Sequence, residues 1–253
     1  MTQRTRCAAV LLSAALLLLG GCATTAPGAT ASSAAPTDPW EAWNRKVFAF
    51  NEVVDDSLLK PVATAYRDAV PALVRQGIGN FFGNLGDIWS AANHLLQGKL
   101  ASGLEMGMRV LSNTFFGLGG VLDPATEMRM VRHSEDFGQT LGHWGLGNGP
   151  YLVLPLFGPS TLRDTAGFIV DRRVAPTSRI SDDGALFATS ALELVHSRAV
   201  LLSTTTLLGQ IALDKYSFTR DAYLARRRDQ LYDGAPPMEG FDDFPDDPPA
   251  PPR

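Results

Sequence analysis

The feature that most constrains this chain is the motif Leu-Gly-Gly-Cys at residues 19–22, which ends a short apolar run. The chain opens with Arg4 and Arg6, and residues 8–19 are almost wholly apolar. A basic start, an apolar segment of this length and small residues before a cleavage point are typical of a signal peptide. A cysteine directly after Leu-Gly-Gly indicates the bacterial lipoprotein type, in which the thiol of Cys22 is acylated and the chain is cut before it.

Two other interpretations of this segment are a plain secretory signal and a transmembrane anchor. The run is too short for an anchor, since roughly 20 apolar residues are needed to span a bilayer. Two or three acyl chains, at about 0.8 kcal/mol per buried CH2, hold a protein on a membrane. Ala23 follows the cysteine, where an aspartate would commonly retain a lipoprotein at the inner membrane. The sequence therefore favours a lipid anchor on the periplasmic side of the outer membrane.

Cysteine content argues against a disulfide bond in the mature chain, and net charge argues against nucleic-acid binding. Cys7 leaves with the signal peptide, so Cys22 is the last thiol and no disulfide can stabilise the mature chain. The full chain carries a net charge of -4, and the loss of Arg4 and Arg6 makes it -6. Most of that charge lies in residues 233–253, so the body is nearly neutral and nothing supports nucleic-acid binding.

The composition divides the chain into four parts. Residues 1–21 are the predicted signal peptide, and residues 22–37 are small, polar and proline-containing, which is typical of a flexible tether. Residues 38–232 are long enough for one domain with a core of its own. Residues 233–253 are rich in proline and aspartate and are predicted to be a disordered acidic tail.

The domain begins with clear helix signals. Asp38 is predicted as an N-cap, Pro39 as the first helical residue and Glu41 as a capping-box partner. Pro61 and Pro71 are each predicted to start a new helix after a bend. One apolar stripe follows the first start at spacings of three and four, and consists of Trp40, Trp43, Val47, Phe50 and Val54.

Long uncharged segments follow, and helix breakers interrupt them. The 26 residues of 137–162 contain no Asp, Glu, Lys or Arg, but three prolines forbid one continuous helix. We predict a short helix over 135–144, a glycine turn and an extended piece over 151–156. A second uncharged run, 199–213, would measure about 22 Å as a helix, against a hydrocarbon core of about 30 Å. No mature segment is therefore expected to cross a membrane alone.

Glycines are concentrated in residues 77–149, which hold fifteen of the 24 in the chain. In a membrane, small residues four apart allow close helix packing, whereas in other settings glycines form turns and C-caps. Short apolar helices of this kind can lie in one leaflet or form an ordinary soluble core, and the periodicity does not choose between these. The spaced pairs are Gly79/Gly83, Gly103/Gly107 and Gly138/Gly142, and the predicted turn residues are Gly98, Gly117, Gly119 and Gly120.

No catalytic motif is present. The sequence has no GxSxG elbow, no HExxH pair and no phosphate-binding loop, and its four histidines share no metal-ligand spacing. Ser160, His143 and Asp164 are the residue types of a lipase triad, but nothing in the sequence brings them together. We therefore predict a non-enzymatic protein with no metal and no cofactor.

Several long motifs resemble the MlaA/VacJ family of lipoproteins, and they occur in family order across nearly the whole body, from about Asp38 to Tyr232. The segments that carry the resemblance are 44–51, 79–85, 113–117, 137–145, 149–155 and 158–164.

The resemblance implies a mainly helical fold with little or no β-structure. In it a ring of amphipathic helices lies in one membrane leaflet around a central channel and docks on a trimeric porin. It implies removal of mislocalised glycerophospholipids from the outer leaflet and their transfer to a soluble periplasmic lipid carrier of the Mla system. The first alternative is a structural lipoprotein that braces a porin or the envelope, and the second is a lipid hydrolase.

The motif match also implies site residues. The segment Asn80, Phe81, Phe82, Gly83 and Asn84 is expected near the channel and its controlling ridge. Asn113 is expected to meet lipid head groups together with Asn80 and Asn84. The loop that holds Gly145, Gly147 and Gly149 is a candidate hinge or rim.

Overall fold

The computed structural model describes residues 38–237. The predicted signal peptide, Cys22, the tether and residues 238–253 of the tail lie outside the described residues. The boundaries assigned to those parts therefore stay predictions.

The described chain is mainly helical, as predicted. Its helices are α1 (Glu41–Val54), α2 (Lys60–Ala69), α3 (Ala72–Leu96), α4 (Leu100–Phe115), α5 (Pro124–Glu127), α6 (Phe137–His143), α7 (Leu162–Val174), α8 (Asp183–Ile211) and α9 (Lys215–Leu231). A π-helical turn, Asp55–Leu59, joins α1 to α2, and a 3-10 turn, Pro176–Arg179, follows α7.

The segment predicted to be extended, 151–156, supplies the first strand of a β-hairpin between α6 and α7, whereas the second strand was not predicted. Its strands are β1 (Tyr151–Leu154) and β2 (Gly158–Thr161), and they pair antiparallel with Tyr151 opposite Thr161. Two asparagines of α1 extend the pairing of β1 through their side chains. Asn44 Oδ1 accepts from the backbone N–H of Val153 at 2.9 Å, and Asn51 Nδ2 donates to the carbonyl of Leu154 at 2.9 Å. The hairpin is thus fixed to α1 by amide groups.

The predicted start of the first helix is wrong. α1 begins at Glu41, its N-cap is Trp40, and no side chain caps it. The carboxylate of Asp38 is instead buried, where it accepts hydrogen bonds from Asn44 Nδ2 at 2.8 Å and from the hydroxyl of Tyr216. Asp38 therefore makes tertiary contacts with α1 and α9 instead of capping the start of the first helix.

The helix predicted from Pro61 is present as α2, but helical structure is not interrupted before it, because the π-helical turn joins α1 directly to α2. The π-helical turn precedes the proline, and the N–H of Lys60 reaches back five residues to the carbonyl of Asp55. Such a widened turn accommodates a residue that disrupts the regular ladder.

Helix α8 is longer than its uncharged run. Residues Asp183–Gly209 form a 27-residue stretch with a mean hydropathy of 1.3, which is long and apolar enough to cross a membrane. Glu193 and Arg198 lie within this helix without ending it, and the expectation that no mature segment crosses a membrane alone stays a prediction.

The interior of residues 38–237 is rich in polar side chains, and many large apolar side chains are exposed. Nineteen polar or charged side chains are buried in residues 38–237, against nine apolar ones. In α3, Asn84, Asp87 and Asn93 are buried, whereas Phe81, Ile88 and Leu95 are exposed. The apolar stripe predicted on α1 is divided, since Trp43 and Phe50 are exposed whereas Val47 is buried in a small apolar core. Soluble proteins place these residue types the other way round.

Glycines allow a close contact between α6 and α7. A Cβ atom added to Gly167 would lie 2.4 Å from the backbone nitrogen of Gly138. Gly103 likewise leaves room for Leu95 of α3, whereas a Cβ on Gly107 would meet nothing within 4 Å. Of the predicted turn glycines, Gly98, Gly119 and Gly120 have positive φ angles.

Candidate functional site

The predicted channel segment lies in the middle of α3 and covers more than one helical turn, so its side chains point in different directions. Asn84 is buried, Phe81 is exposed, and Asn80 is partly buried. The rings of Phe81 and Phe82 contact each other edge to face with centroids 5.6 Å apart. The segment therefore presents an aromatic side and an amide side.

The amide side holds the loop that connects α4 to α5. Asn80 Nδ2 donates to the carbonyl of Val121 at 3.0 Å, and Asn84 Nδ2 donates to Thr114 Oγ1 at 3.1 Å. Gly120 packs so tightly on Asn84 that a Cβ there would lie 2.7 Å from the amide nitrogen. The left-handed φ of Gly120 makes this approach possible.

Asn113 fixes the far end of the same loop. Its Nδ2 donates to Asp123 at 2.9 Å, and its Oδ1 accepts from the backbone N–H of Ala125 at 3.0 Å. The structure thus brings Asn80, Asn84 and Asn113 to one loop, where protein groups occupy their amide nitrogens. The carbonyl oxygen of Asn84 is buried without a partner. Contact of these residues with lipid head groups stays a prediction.

Two clefts border this loop, one on each side of Val121. The first, of about 520 Å³, lies between α3 and α8 and is almost entirely apolar; its walls are Leu73, Val74, Gly77, Ile78, Phe81, Phe82, Val121, Thr189 and Leu192. The second, of about 600 Å³, lies between α3 and α5 and shares Leu73, Gly77 and Val121 with the first. Gly77 permits the approach of the loop, because a Cβ would lie 2.9 Å from Val121 Cγ1.

A buried ionic cluster next to this loop joins α3 and α4. Arg109, which is 2% exposed, donates to both carboxylate oxygens of Asp123 at 3.1 Å and also to the carbonyl of Met130. Arg132 Nε donates to Asp87 at 2.8 Å. Burial raises the pKa of Asp87 above its ordinary value despite Arg132. Burial acts in the same direction on Asp123, but hydrogen bonds from Thr126 and Asn113 outweigh it and lower the pKa of Asp123.

A second ionic cluster joins α6, α7 and α9. Arg227 donates to Asp136 at 2.6 and 3.0 Å and to Asp164 at 2.9 and 3.0 Å. Burial disfavours the charged form of Asp164, but the hydrogen bonds from Arg227 outweigh it and lower the pKa of that carboxyl. These ion pairs satisfy charges in the interior of the described chain.

A third cavity, of about 270 Å³, lies between α1, α8, α9 and the hairpin and is lined by charged groups. Arg198 forms two hydrogen bonds to Asp55, at 2.6 and 2.7 Å. Lys215 pairs with Glu52 at 2.9 Å. The sequence does not predict this cavity, since its only signal is the charge of Glu52 and Asp55 beside an apolar stripe.

The predicted hinge follows α6. Gly145 and Gly149 have φ angles of 93° and 65°, which favour glycine, and a Cβ on Gly145 or Gly147 would meet nothing within 4 Å. Trp144 Nε1 ties the start of this loop to the carbonyl of Leu96 at 3.1 Å. The loop is thus shaped by glycine, and its role as a hinge or rim stays a prediction.

The residues of the conceivable triad have other partners. Ser160 Oγ contacts Thr165 Oγ1 at 2.9 Å, and Asp164 pairs with Arg227 and Arg163. Neither Ser160 nor Asp164 has a hydrogen bond to His143 in the described structure. Within residues 38–237, no group of three His, Cys, Asp or Glu side chains could hold a metal ion.

Comparison with known proteins gives consistent matches. The family described as MlaA lipoprotein matches residues 36–230. The intermembrane phospholipid transport system lipoprotein MlaA of Escherichia coli strain K12 is 37% identical over 228 residues, which cover 88% of each chain. The protein of that name from Haemophilus influenzae is 32% identical over 241 residues, which cover 94% of each chain. A solved structure from work on the structural basis for maintenance of bacterial outer membrane lipid asymmetry superposes with a TM-score of 0.68 and 37% identity. It covers 77% of this chain and 98% of that chain.

Proposed function

The chain belongs to the MlaA lipoprotein family, and from that premise we propose that it removes mislocalised glycerophospholipids from the outer leaflet of the outer membrane. It is a membrane-associated lipoprotein of intermembrane phospholipid transport, and its ligands are phospholipids. The transport maintains lipid asymmetry and requires an amphipathic path rather than bond chemistry.

We further propose the location and partners of the protein. Acyl chains on Cys22 hold it on the periplasmic side of the outer membrane, with the helical body in the inner leaflet. A trimeric porin supports the body, and a soluble periplasmic carrier of the Mla system receives the lipid. No nucleic acid takes part.

The observation that carries the proposal is the reversed polarity of the α3–α4 pair. Exposed side chains such as Phe81, Leu104 and Phe115 are apolar, whereas Asp87, Asn93 and Arg109 are buried. Large exposed apolar areas mark interaction surfaces, and lipid tails are a partner that covers all sides of a helix pair at once. A polar interior then provides the groups that a lipid head needs during its passage.

The candidate path follows the predicted site residues. The segment Asn80, Phe81, Phe82, Gly83 and Asn84 forms one side of the path and its ridge. Its phenyl groups contact acyl chains and its amides contact head groups. Asn113 extends the amide side, and the loop with Gly145, Gly147 and Gly149 acts as hinge or rim.

The function is tested in a strain that lacks this protein, by labelling surface-exposed phosphatidylethanolamine with a membrane-impermeant amine reagent. We expect surface phospholipid and detergent sensitivity to rise on deletion and to return to normal with the wild-type gene. Deletion of Asn80 and Phe81 is expected to change both measurements, whereas Gly86→Ala, at an open position of α3, is expected to restore the wild-type state.

The same strain distinguishes the two alternatives. An envelope defect without surface phospholipid would identify a structural lipoprotein and refute transport. Release of fatty acid by the purified protein, lost in Ser160→Ala, would instead identify a hydrolase. Unchanged surface phospholipid after deletion of Asn80 and Phe81 would refute the assignment of that segment.

A further inference from the structure

We propose that the cleft between α3 and α8 is a phospholipid-binding subsite, in which an acyl chain lies in the cleft and the phosphate is bound by Arg75. The inference rests on the proposed function and adds a location and a recognition group to it.

The cleft has the size and lining of an acyl-chain site. Its volume of about 520 Å³ falls within the roughly 300–1,000 Å³ of small-molecule sites. Ile78 and Phe82 of α3 face Leu192 of α8 across it. Val121 closes one side, and the hydrogen bond from Asn80 holds that residue in place. The walls are thus formed before any ligand enters.

Arg75 lies on α3 next to residues that line the cleft. It follows Val74, a wall residue, and lies one turn before Ile78, another wall residue, so the three belong to neighbouring positions of one helix. Gly79, one turn after Arg75 on α3, packs against His196 of α8, where an added Cβ would lie 2.8 Å from Nε2, and the positive charge of Arg75 adds to the effect of burial in lowering the pKa of His196. His196 lies one helical turn beyond Leu192 of the cleft wall.

Arg75 has no carboxylate that pairs with it in the described part of the chain. Two other arginines with largely buried side chains have carboxylate partners, since Arg109 pairs with Asp123 and Arg198 with Asp55, and the more exposed Arg132 pairs with Asp87. Arg75 has no such ion pair within residues 38–237, and its Nε is buried without a hydrogen bond. Leaving such a donor unpaired is costly, and a phosphate oxygen is the acceptor that a guanidinium binds best.

A cation at the edge of an apolar cleft matches the two ends of a phospholipid. The neighbouring groups support this placement, since Tyr66 Oη and His196 Nδ1 are engaged with each other at 3.0 Å and do not neutralise Arg75. A free anion would need only the guanidinium, and an apolar ligand would need only the cleft.

The test uses the full-length lipoprotein in bilayers of ³²P-labelled phosphatidylethanolamine and phosphatidylglycerol. A photocrosslinking amino acid replaces Thr189, in the cleft wall, or Val200, which is 63% exposed on the same helix outside the cleft. Arg75→Ala is expected to reduce lipid capture at position 189 about tenfold, as for the loss of one charge-assisted hydrogen bond. Arg75→Lys is expected to restore most of it. Capture at position 200 reports annular lipid and is expected to stay constant.

Competition separates the two halves of the ligand. Unlabelled phosphatidylglycerol is expected to reduce capture at position 189, whereas diacylglycerol with the same chains or inorganic phosphate is expected to do so much less. Equal competition by diacylglycerol would refute the role of Arg75, and competition by inorganic phosphate alone would refute the acyl-chain site. Equal capture with and without the arginine, in variants that unfold at the wild-type temperature, would refute the whole inference.

The outcome is independent of the strain assay. If the wild-type gene lowers surface phospholipid but Arg75→Ala captures lipid normally, the transport function is supported and the proposed subsite is refuted. If lipid is captured at position 189 as expected but the wild-type gene leaves surface phospholipid unchanged, the subsite is supported and the transport function is refuted.

Discussion

Gly167→Ala tests whether glycine contact between α6 and α7 supports the fold. A Cβ at this position would lie 2.4 Å from the backbone nitrogen and 2.6 Å from the Cα of Gly138. Backbone atoms cannot rotate away as a side chain can, so the two helices must separate. About 1 Å of movement is needed before the contact reaches van der Waals distance.

That movement would break the ionic cluster beside the contact. Asp136 immediately precedes α6 and accepts from Arg227 at 2.6 and 3.0 Å, so an added 1 Å or so places both bonds beyond hydrogen-bond range. Overpacking costs about 1–3 kcal/mol, and a hydrogen bond to a charged group contributes about 1.5–3 kcal/mol. We expect a loss of about 3 kcal/mol, which lowers the melting temperature by about 6–12 °C in a chain of this size.

The measurement is thermal unfolding of the detergent-solubilised protein, followed by tryptophan fluorescence. Gly86→Ala is the matched control, because a Cβ there meets nothing within 4 Å. It is expected to melt at or above the wild-type temperature, since alanine is favoured over glycine in helices by up to about 1 kcal/mol. If Gly167→Ala melts within about 2 °C of wild type, the close contact and the reasoning built on it are wrong.

Three further predictions concern other parts of the chain. Asn44→Ala removes three buried hydrogen bonds and is expected to lower the free energy of unfolding by about 2–4 kcal/mol. Asn80→Ala loses one exposed hydrogen bond and is expected to lower it by less than about 1 kcal/mol. Equal losses in the two variants would contradict the anchoring role of the Asn44 amide. In the wild type, hydrogen bonds from Arg227 outweigh burial and keep the pKa of Asp164 low, so their stabilisation is complete above the ordinary Asp value and is lost only as pH falls below it. In Arg227→Met the pKa of Asp164 rises, and melting temperatures measured across acidic pH are expected to begin falling at a higher pH; identical pH profiles would argue against this pairing. Cys22→Ala is expected to abolish incorporation of labelled palmitate, and labelling that persists would place the acylation elsewhere.

The site shows how far motif reasoning reaches. The segment 80–84 and Asn113 were predicted together from family motifs, and the structure brings the three asparagines to one loop. The charged cavity with Asp55 and Arg198 was missed, because its two partners are 143 residues apart and neither has a local motif. Arg75 was missed for a different reason. It is of interest because it has no ion-pair partner in the described structure, and a sequence does not show which charges are unpaired.

Local chemistry determined much of this protein from the sequence alone. The acylation motif, the helical content, the glycine turns and the extended segment before Gly158 each depend on a few consecutive residues. Tertiary structure decided which face of each helix is inside. A stripe of Trp and Phe establishes only that two faces of a helix differ, and in an ordinary core it would be buried. Here most of it is exposed, whereas Asp87, Arg109 and Arg227 are buried and pair with residues distant in sequence, and those partners are visible only in the folded chain.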